Sequence, residues 1–172
     1  MTYDLTDTIP IEELESVPAG SSYLVVAPQN DLTEGVTIDL LAAGASRGEG
    51  ALAITTEKSG EAVEAAIRRQ GGDTSEHIVV VDAQAGTRDL DPTGQAAQQR
   101  IASPQNLTDI GLCLTNVTRG FREADVERAR IGLLSLTELF SYTGTETVFK
   151  FCNTATGRIG TDDQLGFFTI NS

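Results

Sequence analysis

Short apolar runs rich in β-branched residues alternate along this chain with segments whose apolar positions recur every three or four residues. No other feature restricts the fold so strongly. A short, uniformly apolar run suits a strand buried on both faces, whereas helical spacing suits an amphipathic helix. The strand candidates are "SYLVVAP" (Ser22 to Pro28), "ALAITTE" (Ala51 to Glu57), "HIVVVDA" (His77 to Ala83), "RIGLLSL" (Arg130 to Leu136) and "LGFFTIN" (Leu165 to Asn171). Helical spacing covers Thr33 to Ser46 and Gly60 to Gln70, the second with Ser59 as N-cap and Gly71 just past its end. A third helix opens with Ser103 as cap and Pro104 at its first position, and its stripe is Leu107, Ile110, Leu114 and Val117. In "TETVFKFCNTATGRI" the stripe is Val148, Phe151 or Cys152, Ala155 and Ile159. This order implies an α/β fold, a three-layer αβα sandwich around a mainly parallel five-stranded sheet. Right-handed crossovers would then gather the loops at the carboxyl ends of the strands, where a ligand would lie.

The chain has 172 residues, 40% of them hydrophobic, which suits one domain spanning 1–172. Residues 1–20 read as an acidic lead-in without a signal-peptide core. No stretch reaches the apolar length of a membrane span, so a cytoplasmic protein that does not engage a membrane is expected. The polar segment 84–102 exceeds the usual loop length, and two readings stay open, a mobile functional loop and a disordered one. Cys113 and Cys152 lie in apolar-periodic segments without ligand spacing and read as buried reduced thiols.

Charge narrows the setting further. The chain has 25 acidic and 12 basic residues, a net charge of −13, and Lys58 and Lys150 are its only lysines. Such self-repulsion opposes compaction at low salt, whereas a Debye length of roughly 3 Å at 1 M salt removes most of it. The acidic surface, arginine in place of lysine and abundant threonine point to a salt-loving archaeon. An acidic face that docks a basic partner is the functional rival. Direct nucleic-acid binding is disfavoured, because the arginines are scattered and form no basic stripe.

One stretch, "VVAPQNDLTEGVTIDLLAAG" (Val25 to Gly44), has the layout of an anion-cradling loop: apolar strand, polar turn, apolar-faced helix. No lysine and no paired glycines stand where phosphate needs them. The longer run from "VPAGSSYLVVAPQNDLTEG" through "AGASRGEGALAITTEKSGEAVEAAIRR" resembles the opening of a RecA-superfamily ATPase domain of the KaiC type. "RIGLLSLTELFSYTG" is similar to that family's Walker B strand, so the resemblance covers nearly the whole chain and implies a RecA/P-loop NTPase-like fold. Matched without a gap from "AGASRGE", Ala27 and Asn30 take the first two glycine positions of the Walker A loop and Leu32 the third. Thr33 takes its lysine and Glu34 its magnesium-binding hydroxyl. Leu134 takes the Walker B aspartate. Glu57 matches the first of the family's catalytic glutamates, and Lys58 replaces the second.

Each change removes part of the phosphate site. Thr33 supplies no charge, and Glu34 would bring a like charge to the phosphates, at a cost of roughly 4 kcal/mol per unit pair at 4 Å and an effective dielectric near 20. Leu134 cannot hold magnesium. "DLTE" has capping-box spacing, with Asp31 as N-cap and Glu34 three residues on, so the loop Ala27, Asn30, Asp31, Thr33, Glu34 reads as vestigial and self-satisfied. The bland alternative leaves Asp31 and Glu34 as solvated acids on a turn. His77 reads as a surface or structural histidine, and Glu57 as paired with Lys58 or an arginine, catalytic only if the chain is an ATPase. Asp82 either lines the strand-end crevice or caps the loop after it. No metal site is expected, and no cofactor; ATP and magnesium enter only on the nucleotide-binding alternative.

The expected function is therefore that of a non-catalytic pseudo-ATPase domain, regulatory or signalling, that acts by binding a protein partner. The alternatives are a nucleotide-binding protein or ATPase with an atypical loop, and a ligand-sensing module using the crevice. A homodimer is expected, formed at a sheet edge left open after the last strand.

Overall fold

The computed structural model describes residues 1–83, 98–100 and 107–172, the side chains of Asn30 and of 98–100 apart. Its strands are β1 (Thr2–Asp4), β2 (Ser16–Pro18), β3 (Ser22–Ala27), β4 (Gly50–Thr55), β5 (Ile78–Asp82), β6 (Gln98–Arg100), β7 (Ala129–Leu134) and β8 (Leu165–Asn171). Its helices are α1 (Asn30–Ser46), α2 (Gly60–Ile67), α3 (Leu107–Glu123), α4 (Leu136–Tyr142) and α5 (Thr145–Thr161). The five strands expected from sequence stand in one sheet in the order β3-β8-β7-β4-β5, and short β6 joins beyond β5. Every pairing in this sheet is parallel. The fold is a three-layer α/β sandwich.

Side-chain alternation divides the core. Ala51 and Ala53 of β4 face α1 and α2, joining Leu41, Ala45, Val63 and Ile67. Leu52 and Ile54 face the other way, onto Ile110, Leu114 and Val117 of α3 and Val148, Ala155 and Ile159 of α5. The small residues on the first side matter. A Cβ on Gly132 of β7 would stand 2.8 Å from Thr37 Cγ2 of α1, so glycine lets that helix lie close on the sheet.

Several expectations need correction. Residues 1–20 are more than a lead-in: β1 and β2 pair antiparallel and bury Tyr3, Leu5 and Val17 against Leu40, Leu165 and Phe167. The last strand, β8, is internal, held between β3 and β7; among the described residues the edges are β3 and β6. The end of "RIGLLSL" leaves the sheet at Leu134, and α4 begins two residues later. The Ser103 and Pro104 helix start lies outside the described residues, as does all of the 84–102 segment except β6. Ser59 does cap α2, its hydroxyl accepting from Ala62 N at 3.2 Å. Gly71 follows in a wide turn with φ of +140°, a conformation that favours glycine.

A buried ion pair ties the layers together. Arg130 of β7 is 0% exposed. It donates from Nε to Glu49 Oε2 (2.6 Å), from Nη1 to the Leu40 carbonyl (2.9 Å) and from Nη2 to the Asp4 carbonyl (2.9 Å). One guanidinium thus joins β7, α1, β1 and the turn before β4. Gly44 makes room for it, since a Cβ there would sit 2.6 Å from both Arg130 Nε and Glu49 Oε2. Among the described residues, no helix is long and apolar enough to cross a membrane.

Candidate functional site

The turns after β3, β4 and β7 lie at the carboxyl end of the sheet, where crossover topology directs a ligand. Helix α1 starts there, at Asn30, one residue before Asp31. Its N-cap is Gln29, whose side chain makes no capping hydrogen bond. The expected capping box is therefore absent. Asp31 lies within the first turn with its side chain 89% exposed, and its carboxylate is 4.0 Å from Lys58 Nζ. Glu34 does not reach back to the helix start, and neither is it a solvated acid: it is 2% exposed, with Lys58 Nζ 2.8 Å from Oε2. A cation from the turn after β4 has claimed the buried acid of α1, because ion pairing offsets desolvation where the weaker macrodipole interaction would not.

The other loop positions are equally occupied by the protein itself. Thr33 is buried, and its carbonyl accepts from Thr37 Oγ1 at 2.8 Å. The carbonyl of Ala27, at the end of β3, accepts from Ser172 N at 3.0 Å. Leu134 packs into the α1/α2 side of the core. Its carbonyl takes both the amide (2.9 Å) and the hydroxyl (3.0 Å) of Thr56. The end of β7 is thereby fastened to the end of β4.

Glu57 has Lys58 nearby, as expected, and also a neighbour that the sequence did not indicate. Its carboxyl shares a hydrogen bond with Glu138 of α4, while Lys58 serves Glu34. That carboxyl–carboxyl bond requires a proton, and it pushes the Glu57 pKa up to about 7. Burial and the charges of Glu138 and Glu34 add to the rise, and Lys58 opposes it. Asp82 serves the start of α2, and the loop that it was expected to cap lies outside the described residues. Asp82 is buried and accepts from Gly60 N at 2.7 Å, holding the start of α2 against β5. His77 is half-buried ahead of β5, its carbonyl accepting from Ala51 N, away from this cluster. Cys113 and Cys152 are free and only half-buried, packed against the α3/α5 core, and burial pushes both thiols up.

Glu138 escaped the sequence reading because its helix hides behind a strand-like run. A signal was present. Ser135 followed by Glu138 three residues on is helix-start spacing, and Ser135 is the N-cap of α4. Among the described residues, the assembled site is a carboxylate cluster with one cation: Glu34 and Glu57 lie beside Lys58, Glu138 beside Glu57, and Asp31 outside. No group of three or more His, Cys, Asp or Glu among the described residues is placed to hold a metal ion.

The raised Glu57 value has a consequence of definite sign. Between the ordinary carboxyl value of 4.5 and about 7, the folded protein binds more protons than the unfolded chain. Stability from this group is full below that window and falls as pH rises through it. Unfolding midpoints measured from pH 5 to 8 should decline for the natural chain and decline less for Glu57→Gln, whose amide keeps a hydrogen bond without titrating. Identical slopes for the two proteins would show that the pair does not share a proton.

Residues 20–172 match the protein family of unknown function DUF7504. The chain belongs to that family. The match takes in the whole parallel sheet and the carboxylate cluster, and only the β1–β2 ladder precedes it. No curated protein matches the chain.

Proposed function

We propose that this DUF7504 member is a non-catalytic relative of RecA/KaiC-type ATPase domains and acts as a regulatory domain by binding another protein. The observation that carries this reading is the Glu34–Lys58 pair at 2.8 Å. A phosphate over the first turn of α1 would meet a buried carboxylate, and the nearest cation is already engaged. Leu134 in place of a magnesium-binding acid agrees with it. The sequence resemblance suggests the RecA/KaiC relationship, and the site's geometry supports the loss of catalysis.

The test is a titration of magnesium–ATP in concentrated potassium chloride, with the natural chain and with a Thr33→Lys, Glu34→Thr variant. The natural chain should show no saturable binding. The variant regains a lysine and a small hydroxyl and should bind measurably. Tight binding by the natural chain would remove the reading.

A second reading is favoured by Glu57, whose pKa of about 7 suits a general base at neutral pH. On it the chain is an ATPase with an atypical loop, and turnover would be lost in Glu57→Gln.

A further inference from the structure

β3 is one edge of the sheet, and among the described residues it has none of the usual protections. Its six residues, Ser22 to Ala27, include no charge and no proline. Gly166 N donates to the Ser21 carbonyl and Ser172 N to the Ala27 carbonyl, each at 3.0 Å. Odd-numbered residues therefore face β8, and Ser22, Leu24 and Val26 direct their N–H and C=O groups away from the sheet.

The side chains of those residues lie on the α5 side of the sheet. Leu24 is 57% exposed and Val26 53%. Helix α5 carries the crossover from β7 to parallel β8 and so runs opposite to β3. Its end lies close to β3, for a Cβ on Gly20 would be 3.2 Å from the Gly160 carbonyl. Phe149, Cys152, Thr156 and Gly160 form one row at helical spacing, and Gly160 shows that this row faces β3. From Gly160 back to Phe149 the helix rises about 16 Å. From Gly20 to Val26 the strand advances about 20 Å. Phe149, 69% exposed, thus lies toward the Val26 end of the strand, about 4 Å short of that residue along it. Three exposed apolar side chains border a line of backbone groups that have no ladder partner among the described residues.

We propose that this edge is where two copies of the chain join, β3 pairing antiparallel with β3 about a two-fold axis through Leu24. Ser22, Leu24 and Val26 of one copy then exchange hydrogen bonds with Val26, Leu24 and Ser22 of the other. The two sheets become one, with both α5 helices on the same face. A second copy suits this strip because the outward groups are symmetric about Leu24, as a two-fold axis requires. Charge selects the same face: a molecule of net −13 repels itself, yet neither β3 nor the α5 row beside it carries a charge. The proposal stands independently of the non-catalytic reading above.

Sedimentation equilibrium of the full chain in concentrated potassium chloride tests it. The natural protein should be a dimer at tens of micromolar, dissociating as salt is lowered and repulsion returns. Leu24→Lys places two cations face to face at the axis and should weaken association by roughly a hundredfold. It should not change the unfolding midpoint of the monomer, since Leu24 is exposed there. Leu112→Lys, on the exposed face of α3, should leave the dimer intact. Amide exchange at Leu24 and Val26 should be slow in the natural protein and fast in Leu24→Lys. A natural protein that stays monomeric, a dimer that survives Leu24→Lys, or one lost only with Leu112→Lys would each overturn the proposal.

Discussion

Glu49→Ala should cost about 3–5 kcal/mol of stability, the largest effect expected of any single substitution here. The reason lies with the partner left behind. Arg130 is fully buried, and without Glu49 its Nε loses its acceptor while the charge has no counterion. The carbonyls of Leu40 and Asp4 remain, but neither carries a formal charge to balance the guanidinium. Set against the roughly 5–15 kcal/mol that holds an ordinary domain together, this is a large fraction. Denaturant unfolding at fixed salt should show it as a shift in midpoint. Replacing both partners with apolar residues, Glu49→Leu with Arg130→Met, should recover much of the loss, because no buried charge then remains. A single-variant loss below about 1 kcal/mol would mean that water reaches Arg130.

Lys58→Met should be the next most damaging, at about 2 kcal/mol. That figure sits between the cost of breaking a buried pair and that of an exposed one. Glu34 is buried, but the Lys58 side chain is about half exposed, 49%. Without the ammonium, Glu57 faces Glu138 and Glu34 with no other cation beside it among the described residues. Protonation relieves that repulsion, so the loss should be larger at pH 8 than at pH 5. Adding Glu34→Leu should restore most of the stability. Equal losses at both pH values would show that the three carboxyl groups do not interact.

Much of the architecture was legible because burial on two faces leaves a direct trace. The five main strands and the helical stripes of α3 and α5 follow from apolar periodicity, and Ser59 from its capping chemistry. The site was only half legible. Glu57 and Glu34 stood out by position, but their partners did not. Glu57 was assigned to a cation and meets Glu138 as well, while Glu34 was assigned to its own helix and meets Lys58. Both omissions have one cause. Local rules rank neighbours along the chain, whereas a buried carboxylate takes the partner that best offsets its desolvation, and parallel topology brings distant turns within reach. The same holds for Arg130, which reads as the polar start of a strand and proves to be the most deeply buried charge among the described residues.

By itself the sequence determined the strand–helix order, the layers those elements form, the acidic surface and the absence of a lysine in the loop after the first strand. These depend on composition and on periods of a few residues, which no later packing can alter. Only the tertiary structure decided that β3 is an edge of the sheet, that Glu57 meets Glu138, and that Lys58 closes the turn over Glu34. Those outcomes depend on which strand ends lie side by side, and that is set by packing across the sheet.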